Sequence, residues 1–351
     1  MRIDFSTAAI DSWNCRNYIA IAVRSRRKNG DFEMKRLHRL IACSLLLILV
    51  CSVPSYGWFN LGHMAVAYVA YQQLTPEKKD RVDALLRLNP DRKNWLKLIP
   101  QNASKEDRRM MIFMIAATWP DRIKKLKNIY KNDTKNGDVP DGKASNSRNI
   151  GYQDHFLHKY WHFIDTPFSQ DGTAFPNKIP KPNAETQIAA FRLVLASNKS
   201  NALKSYDLSW LLHLVGDIHQ PLHCVTRFGA TQKNGDAGGN FVKLCSPPCK
   251  DELHAFWDGL PGDSDDPLDA INVGKNLPMA DQGLADDLLV AHWLIESVND
   301  AKQFVYVPPI GLGAGPFTIT DTYRTTAKQV ADKRVALAGA RLARILNQEL
   351  K

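Results

Sequence analysis

The chain has 351 residues, of which 44% are hydrophobic and 23% are charged, and its formal net charge is +10 at pH 7. This composition supplies enough apolar side chains for a buried core and excludes a disordered or fibrous chain. The positive charge suits an anionic substrate but is equally typical of ordinary solubility, so it decides little alone.

The N-terminal part has the pattern of a leader sequence. From Met34 the chain reads Met-Lys-Arg-Leu-His-Arg, followed by an apolar run over residues 40–53 and by small residues up to Gly57. The run is too short to span a bilayer. We therefore expect a signal peptide over residues 34–57, with cleavage before Trp58.

The polar residues 1–33 have no role in such a signal, and we interpret them as an over-long N-terminal extension. The mature protein is then expected to be exported, either to the periplasm or out of the cell. It is expected to have no membrane span once the signal is removed.

Three cysteines follow residue 57: Cys224, Cys245 and Cys249. The short segment Cys245-Ser-Pro-Pro-Cys249 is expected to close as a disulfide in an oxidising compartment. Half of a zinc site is the alternative, but no second cysteine pair completes it. Cys224 is left without an assignment.

Apolar residues recur mainly with helical spacing. Helices are predicted over His63–Leu74, from Thr75-Pro76-Glu77 onward, and over Lys105–Thr118, Ala184–Ala196, Leu203–Ile218, Leu284–Phe304 and Asp321–Glu349. Strand signals are sparse, and Asn240–Leu244 is expected to be one arm of a small β-hairpin. The polar stretches 131–154 and 308–316 do not resemble domain boundaries. The sequence predicts one mainly α-helical domain, a helical bundle over residues 58–351.

Two His-x3-Asp pairs carry the strongest chemical signal. His213 and Asp217 lie four residues apart, which places both on one face of a predicted helix, where they can bind one metal ion together. Pro221 then ends the helix and allows His223 to return from the turn. His254 and Asp258 repeat the spacing downstream.

One such pair alone is more often an ordinary polar pair than a metal site. Here the two pairs stand beside further candidates in apolar sequence: His162 between aromatic residues, and Asp121 in Trp-Pro-Asp after an apolar helix. Buried histidines and aspartates without partners are costly, and a bound metal explains several of them together.

Six segments in this order resemble the zinc-dependent single-strand-specific nucleases of fungi and plants and their bacterial relatives, which are related to zinc-dependent phospholipase C. The segments are Trp58-Phe-Asn-Leu-Gly-His63, Trp119-Pro-Asp121, Trp161-His-Phe-Ile-Asp165, His213-x3-Asp217-x5-His223, Gly235-Asp-Ala-Gly-Gly-Asn240 and Leu253-His-x2-Trp-Asp258. The resemblance implies the helical fold of that group and three zinc ions per chain.

The resemblance also implies how the ligands are shared. One zinc ion would be bound by Asp121, His162 and His213, with Asp217 bridging to a second ion. The second ion would be bound by Asp217, His63 and the amino and carbonyl groups of Trp58. A more exposed third ion would be bound by His223, His254 and Asp258. A free amine and its own carbonyl close a five-membered chelate ring. One extra residue before Trp58 is therefore expected to block the site.

Asp121, Asp217 and Lys124 are the catalytic residues that the resemblance implies. Two positions depart from the fungal pattern. Pro120 replaces a small residue, and Lys124 stands where the fungal enzymes carry an arginine. A lysine keeps the charge but loses the bidentate fork of a guanidinium.

Substrate contacts are implied for Phe163, Asp165 and Asn240. In the related nucleases an aromatic residue stacks on an unpaired base and an acid binds the edge of that base, which favours single strands. The alternative is that Phe163 is part of the core and that Asp165 caps the turn before Pro167.

The implied reaction is hydrolysis of the P–O3′ bond of single-stranded DNA, RNA and 3′-nucleotides by a monomer, giving 5′-phosphorylated products. A zinc-dependent phospholipase C, a 3′-nucleotidase with little endonuclease activity, and a non-catalytic zinc-binding or adhesion protein are the alternatives. Of the histidines outside the ligand set, His219 is expected to be structural, and His155, His158 and His292 to be plain surface or core.

Overall fold

Helices make up most of the computed structural model, which describes residues 58–245, 249 and 251–351. The helices within these residues are α1 (Asn60–Gln73), α2 (Pro76–Leu86), α3 (Arg92–Trp95), α4 (Lys105–Ala116), α5 (Trp119–Ile123), α6 (Ala184–Leu195), α7 (Asn201–Asp217), α8 (Leu253–Asp258), α9 (Pro267–Asn276), α10 (Gln282–Asp286), α11 (Val290–Asp300) and α12 (Asp321–Glu349). The predicted mainly α-helical fold is confirmed. The expected extension 1–33 and signal peptide 34–57 lie outside the described residues. None of the described helices is both long and apolar enough to cross a membrane.

The helix α7 lies at the centre of the fold. Its residues are buried on every side from Lys204 to Asp217, and it packs against α1, α2, α5, α6 and α12. A helix that is buried on every side has no face in contact with solvent, so α7 forms the core of the bundle. Its start is set by Ser200, whose side chain accepts a hydrogen bond from the backbone of Leu203.

The longest helix, α12, packs closely against α1. At Gly339 the two backbones approach so nearly that an added Cβ would lie 2.5 Å from Cβ of Val69. Only glycine fits at this crossing. The contact holds α1, and with it His63, against the rest of the bundle.

The strands form two small sheets. Thr166–Ser169 (β1) pairs in parallel with Val225–Phe228 (β2), and Lys243–Leu244 (β3) pairs antiparallel with Asp251–Glu252 (β4). The second pair confirms the predicted hairpin with a shorter arm than expected, and the disulfide Cys245–Cys249 lies between its strands. The sequence did not predict the parallel pair, which joins two distant segments.

The predicted helix Leu284–Phe304 is wrong in one respect, because it is broken between α10 and α11. The side chain of Asp287 accepts a hydrogen bond from the backbone N–H of Leu289 at 3.0 Å, and Arg192 from α6 donates to the carbonyl of Leu288 at 2.7 Å. These bonds take up the N–H of Leu289 and the carbonyl of Leu288, which an unbroken helix would use internally. A π-helical turn, Ala301–Val305, then ends the segment.

Asp207 is a buried carboxyl within α7, on a residue with no measurable exposure. Its Oδ1 accepts a hydrogen bond from Asn149 Nδ2 at 2.7 Å, and burial raises the pKa of the carboxyl to about 8. The side chain is therefore neutral in the folded protein at neutral pH, although the unfolded chain ionises it.

We expect Asp207→Asn to become progressively more stabilising, relative to the wild type, as pH rises from about 4 to about 8. Within this window the folded wild type keeps a proton that the unfolded chain has released. Its free energy of unfolding therefore falls with rising pH by up to about 1.4 kcal/mol per pH unit. Asparagine carries no such proton. Thermal unfolding of both proteins across this pH range measures the difference.

The control is Asp251→Asn, which removes an exposed carboxylate from β4. If the stability difference between Asp207→Asn and the wild type stays constant across the pH range, the buried neutral carboxyl is refuted.

Candidate metal centre

The structure brings the predicted ligand side chains together into three buried groups. They are His63 with His213 and Asp217, Asp121 with His162 and His213, and His223 with His254 and Asp258, and in each group the ligand atoms lie within 4.8 Å of one another. Most of these side chains come from α1, α5, α7 and α8. His223 lies in the 3-10 turn Pro221–Cys224, and His162 directly follows the 3-10 turn Lys159–Trp161.

Asp217, the last residue of α7, connects two of these groups through its two carboxylate oxygens. Its Oδ1 lies 3.3 Å from His63 Nε2, while its Oδ2 lies 3.0 Å from His162 Nδ1 and 3.2 Å from His213 Nε2. One carboxylate thus faces two separate sets of imidazole nitrogens, which is the geometry that a bridging ligand requires.

His63 shows that this part of the site fits a cation. Neither ring nitrogen of His63 nor Oδ1 of Asp217 has a hydrogen-bond partner among the described residues, although all three atoms are buried. The ring of His63 stacks on that of His213 at 3.8 Å between centroids. Buried polar atoms without hydrogen bonds are costly, and a cation between them would satisfy their lone pairs.

The third group fits a cation because backbone carbonyls determine which ring nitrogen of each histidine carries the proton. His223 Nδ1 donates to the carbonyl of His162 at 2.8 Å, and His254 Nδ1 donates to the carbonyl of Gly238 at 2.7 Å. In the neutral rings both Nε2 atoms then carry lone pairs, and these two atoms lie 3.1 Å apart. His254 Nε2 also lies 3.4 Å from Asp258 Oδ2. Two lone pairs and a carboxyl oxygen within 4.8 Å of one another form a donor set for a metal ion.

A backbone carbonyl orients His213 in the same way. Its Nδ1 donates to the carbonyl of Ala117 at 2.7 Å, which leaves the lone pair on Nε2, 2.9 Å from His162 Nδ1 and 3.6 Å from Asp121 Oδ1. No pattern in the sequence could have revealed these carbonyl partners, because each lies far along the chain from its histidine.

Burial keeps two of the histidines neutral. Burial, and then the charge of His213, lowers the pKa of His63 to about 4, and burial, followed by the charge of Lys124, lowers the pKa of His162 to about 3. Their lone pairs are therefore available at neutral pH.

Two of the three acidic side chains, Asp121 and Asp217, stay ionised, whereas burial raises the pKa of the third, Asp258, well above its usual range. Burial alone would raise the pKa of Asp121, but Lys124 and the neighbouring histidines hold it below its usual range. Burial would likewise raise the pKa of Asp217, and His213 and His223 hold it well below that range. Lys124 balances one of these two buried negative charges, and a bound cation would balance the other.

Lys124 follows α5 and forms a buried ion pair, with Nζ 2.8 Å from Asp121 Oδ1.

The structure also explains why a proline at position 120 is tolerated, where the fungal pattern has a small residue. Pro120 lies in the first turn of α5, where a missing backbone N–H costs no hydrogen bond. The proline therefore starts the short helix that presents Asp121.

Trp58 is fully buried and lies beside His63 and α7. A Cβ added to Gly216 would lie 2.8 Å from His63 Nδ1 and 3.7 Å from Cδ1 of Trp58. The first residue of the described chain thus packs against the same turn of α7 that carries Asp217.

Phe163 and Asp165 line a small cavity together with residues that include Tyr160, Pro182 and Asn183. Burial, and then the charge of Asp236, raises the pKa of Asp165 to about 7. Asp165 can therefore exist as a protonated donor near neutral pH.

Asn240 is not among the lining residues of that cavity, so the structure does not bring it together with the Phe163 pair. Its side chain donates to the carbonyl of Ala237 at 2.6 Å. Gly238, two residues before Asn240, has φ of +61°, and a Cβ added to Gly238 would lie 2.4 Å from the carbonyl oxygen of Leu222. This loop supports the third ligand group through the carbonyl that binds His254.

His219 is buried and lies behind the ligands, as expected for a structural residue. Its Nδ1 donates to the carbonyl of Val215 at 2.7 Å, and Arg341 NH1 lies 2.9 Å from its Nε2. Arg334 donates to its backbone carbonyl, and Glu296 pairs with both arginines. This buried network holds the chain between the end of α7 and the turn that presents His223.

His158 lies in the core, which is one of its two expected places, and it also makes specific polar contacts there. Its ring is buried between Asp133 and Asp154, with nitrogen–oxygen distances of 2.9 and 3.1 Å, and it stacks on Trp161 at 3.6 Å between centroids. It ties the polar stretch 131–154 to the turn before His162. His155 and His292 are exposed, as expected.

The comparisons with known proteins agree with this geometry. Residues 58–351 match the model of the S1/P1 nuclease family. The chain is 26% identical over 340 residues to "Endonuclease 3" of Arabidopsis thaliana, covering 88% of this chain and 95% of that protein. It is 27% identical over 233 residues to "Nuclease S1" of Aspergillus oryzae, covering 64% of this chain and 60% of that protein. The chain therefore belongs to the S1/P1 nuclease family and is an endonuclease that hydrolyses phosphoester bonds.

Proposed function

We propose that the mature chain is an exported nuclease that depends on three zinc ions and hydrolyses the P–O3′ bond of single-stranded DNA and RNA. Its products carry 5′-phosphates, and 3′-nucleotides are also substrates. The observation that carries the proposal is the position of Asp217, whose two oxygens each face a different set of imidazole nitrogens.

The ligand types support zinc. The three groups contain only histidines and aspartates, and neutral imidazole with carboxylate is a common donor set for zinc ions. When bound, the ions would supply Lewis-acid stabilisation of the phosphoryl oxygens and lower the pKa of water.

The protein's own residues position these groups before any substrate binds. The carbonyls of Ala117, His162 and Gly238 orient three imidazole rings, so that little rearrangement is needed during the reaction. Lys124 adds a buried positive charge beside Asp121, where it would stabilise negative charge that develops on the phosphoryl group.

The base-binding role of Phe163 and Asp165 is part of the proposal. Phe163 is half-buried at the edge of its cavity and directly follows His162. A base stacked there would lie close to the metal centre. With a pKa near 7, the Asp165 carboxyl could either donate to or accept from the base edge. Stacking requires an unpaired base, which supports a preference for single strands.

The proposal also includes export and trimming before Trp58. The disulfide Cys245–Cys249 supports an oxidising compartment, since such bonds rarely persist in the cytosol.

Removal of zinc tests the proposal. A chelator is expected to lower kcat on single-stranded DNA by at least about a thousandfold, because the carboxylates and imidazoles alone cannot offset the phosphate charge. Added zinc should restore the rate, with three ions bound per chain. Metal analysis beside an assay of acid-soluble nucleotides measures both quantities.

The same preparation should hydrolyse 3′-AMP and cut fully paired DNA more slowly than single strands. Release of phosphocholine from phosphatidylcholine in place of nucleotides would refute the nuclease, and full activity without zinc would refute the metal requirement.

A further inference from the structure

A second cavity, of about 210 Å³, borders the metal centre at Asp121. The rest of it is lined by Phe59, Asn60, Arg122, Lys125, Asp263 and Asp265. It shares no lining residue with the cavity that holds Phe163 and Asp165. One cavity is therefore lined by Asp121 itself, and the other is lined by Phe163, the residue that follows His162 in the chain.

Three hydrogen bonds hold the walls of this larger cavity in place. The backbone N–H of Phe59 donates to the carbonyl of Asp258 at 3.0 Å, which ties the aromatic wall to a ligand of the third group. Asn60 Nδ2 donates to Asp265 Oδ1 at 2.5 Å. Arg122 Nε donates to Thr118 Oγ1 at 3.0 Å, which orients the guanidinium.

The chemistry of the lining fits a nucleotide. Phe59 offers an aromatic face for a base, and the carboxylates of Asp263 and Asp265 can accept hydrogen bonds from the amino or imino groups of its edge. Arg122 and Lys125 can neutralise a phosphate. A quaternary ammonium headgroup would find an aromatic ring and three acidic side chains here but would be repelled by the two cations.

We propose that this cavity is a second nucleotide subsite, which holds the nucleotide on the other side of the scissile phosphate from the base bound at Phe163. The inference rests on the proposed nuclease function. An internal bond of a strand has a nucleotide on each side, whereas a 3′-nucleotide has only one. The subsite therefore contributes to cutting within chains and not to removal of a 3′-phosphate.

The test compares kcat/KM for a short single-stranded DNA with kcat/KM for 3′-AMP, using the mature holoenzyme. Phe59→Leu keeps an apolar side chain but removes the aromatic face, and it is expected to lower the ratio of the two values about tenfold. Lys125→Ala is expected to lower the ratio severalfold. Phe163→Ala should lower both values together, because both substrates need that base pocket.

The controls are Phe175→Ala and Lys127→Ala, which remove an exposed phenylalanine and an exposed lysine outside both cavities and should leave the ratio unchanged. Zinc content and thermal unfolding of each variant identify any loss of folding. An unchanged ratio in both Phe59→Leu and Lys125→Ala, in folded and zinc-loaded protein, overturns the subsite and leaves the nuclease intact. A wild type inactive on both substrates overturns the proposed function itself.

Discussion

Asp217→Asn is expected to lower kcat on single-stranded DNA by at least about a thousandfold and to remove at least one zinc ion per chain. Asp217 is the residue whose two oxygens face His63 on one side and His162 and His213 on the other. Asparagine keeps the size but offers one neutral oxygen and an N–H donor, which repels a cation. Metal analysis and kcat of the purified variant measure the two effects.

The matched control is Asp207→Asn, the same substitution ten residues earlier on the same helix. Asp207 is equally buried, but its pKa of about 8 makes it neutral at neutral pH, so the substitution changes no charge there. We expect its zinc content and kcat to match the wild type. If the Asp217 variant binds three zinc ions and cuts at the wild-type rate, the bridging role is wrong.

A protein that retains Gly57 in front of Trp58 is expected to lose one zinc ion and about a hundredfold or more in kcat. A free amine can chelate a metal ion together with its own carbonyl, whereas a peptide nitrogen has no lone pair to offer. Trp58 is buried beside His63, so the site has little room to adapt to an extra residue. Zinc content and nuclease rate of proteins that begin at Gly57 and at Trp58 measure the effect.

Removal of Gly57 from the inactive protein by an aminopeptidase provides the control, because it should restore both zinc and activity without any substitution. Equal activity of the two proteins would show that the terminal amine is not a ligand.

Much of the helical fold could be predicted from the sequence. The last helix was predicted with its observed bounds, since Thr320 caps its start and most residues from there to Glu349 favour a helix. The break at residues 287–289 could not be predicted, because the sequence there has a helical pattern and the competing bond comes from Arg192 on α6. The parallel pairing of β1 with β2 was missed for the same reason, since its partners are distant in sequence.

Only part of the candidate metal centre could be predicted from the sequence. The spacing of four residues placed His213 beside Asp217 and His254 beside Asp258, because helical geometry alone determines which face each residue occupies. The second cavity had no sequence signal, because Phe59, Lys125 and Asp265 come from three separate segments.

The sequence by itself determined the helical class and the two His-x3-Asp pairs that lie on single helix faces, because these depend on composition and on local periodicity. Only the tertiary structure decided that Asp217 faces two sets of histidines and which backbone carbonyl sets the tautomer of each histidine. It also decided which residues line the cavity beside Asp121. These features depend on distances between segments that are far apart along the chain, and packing of the whole bundle sets those distances.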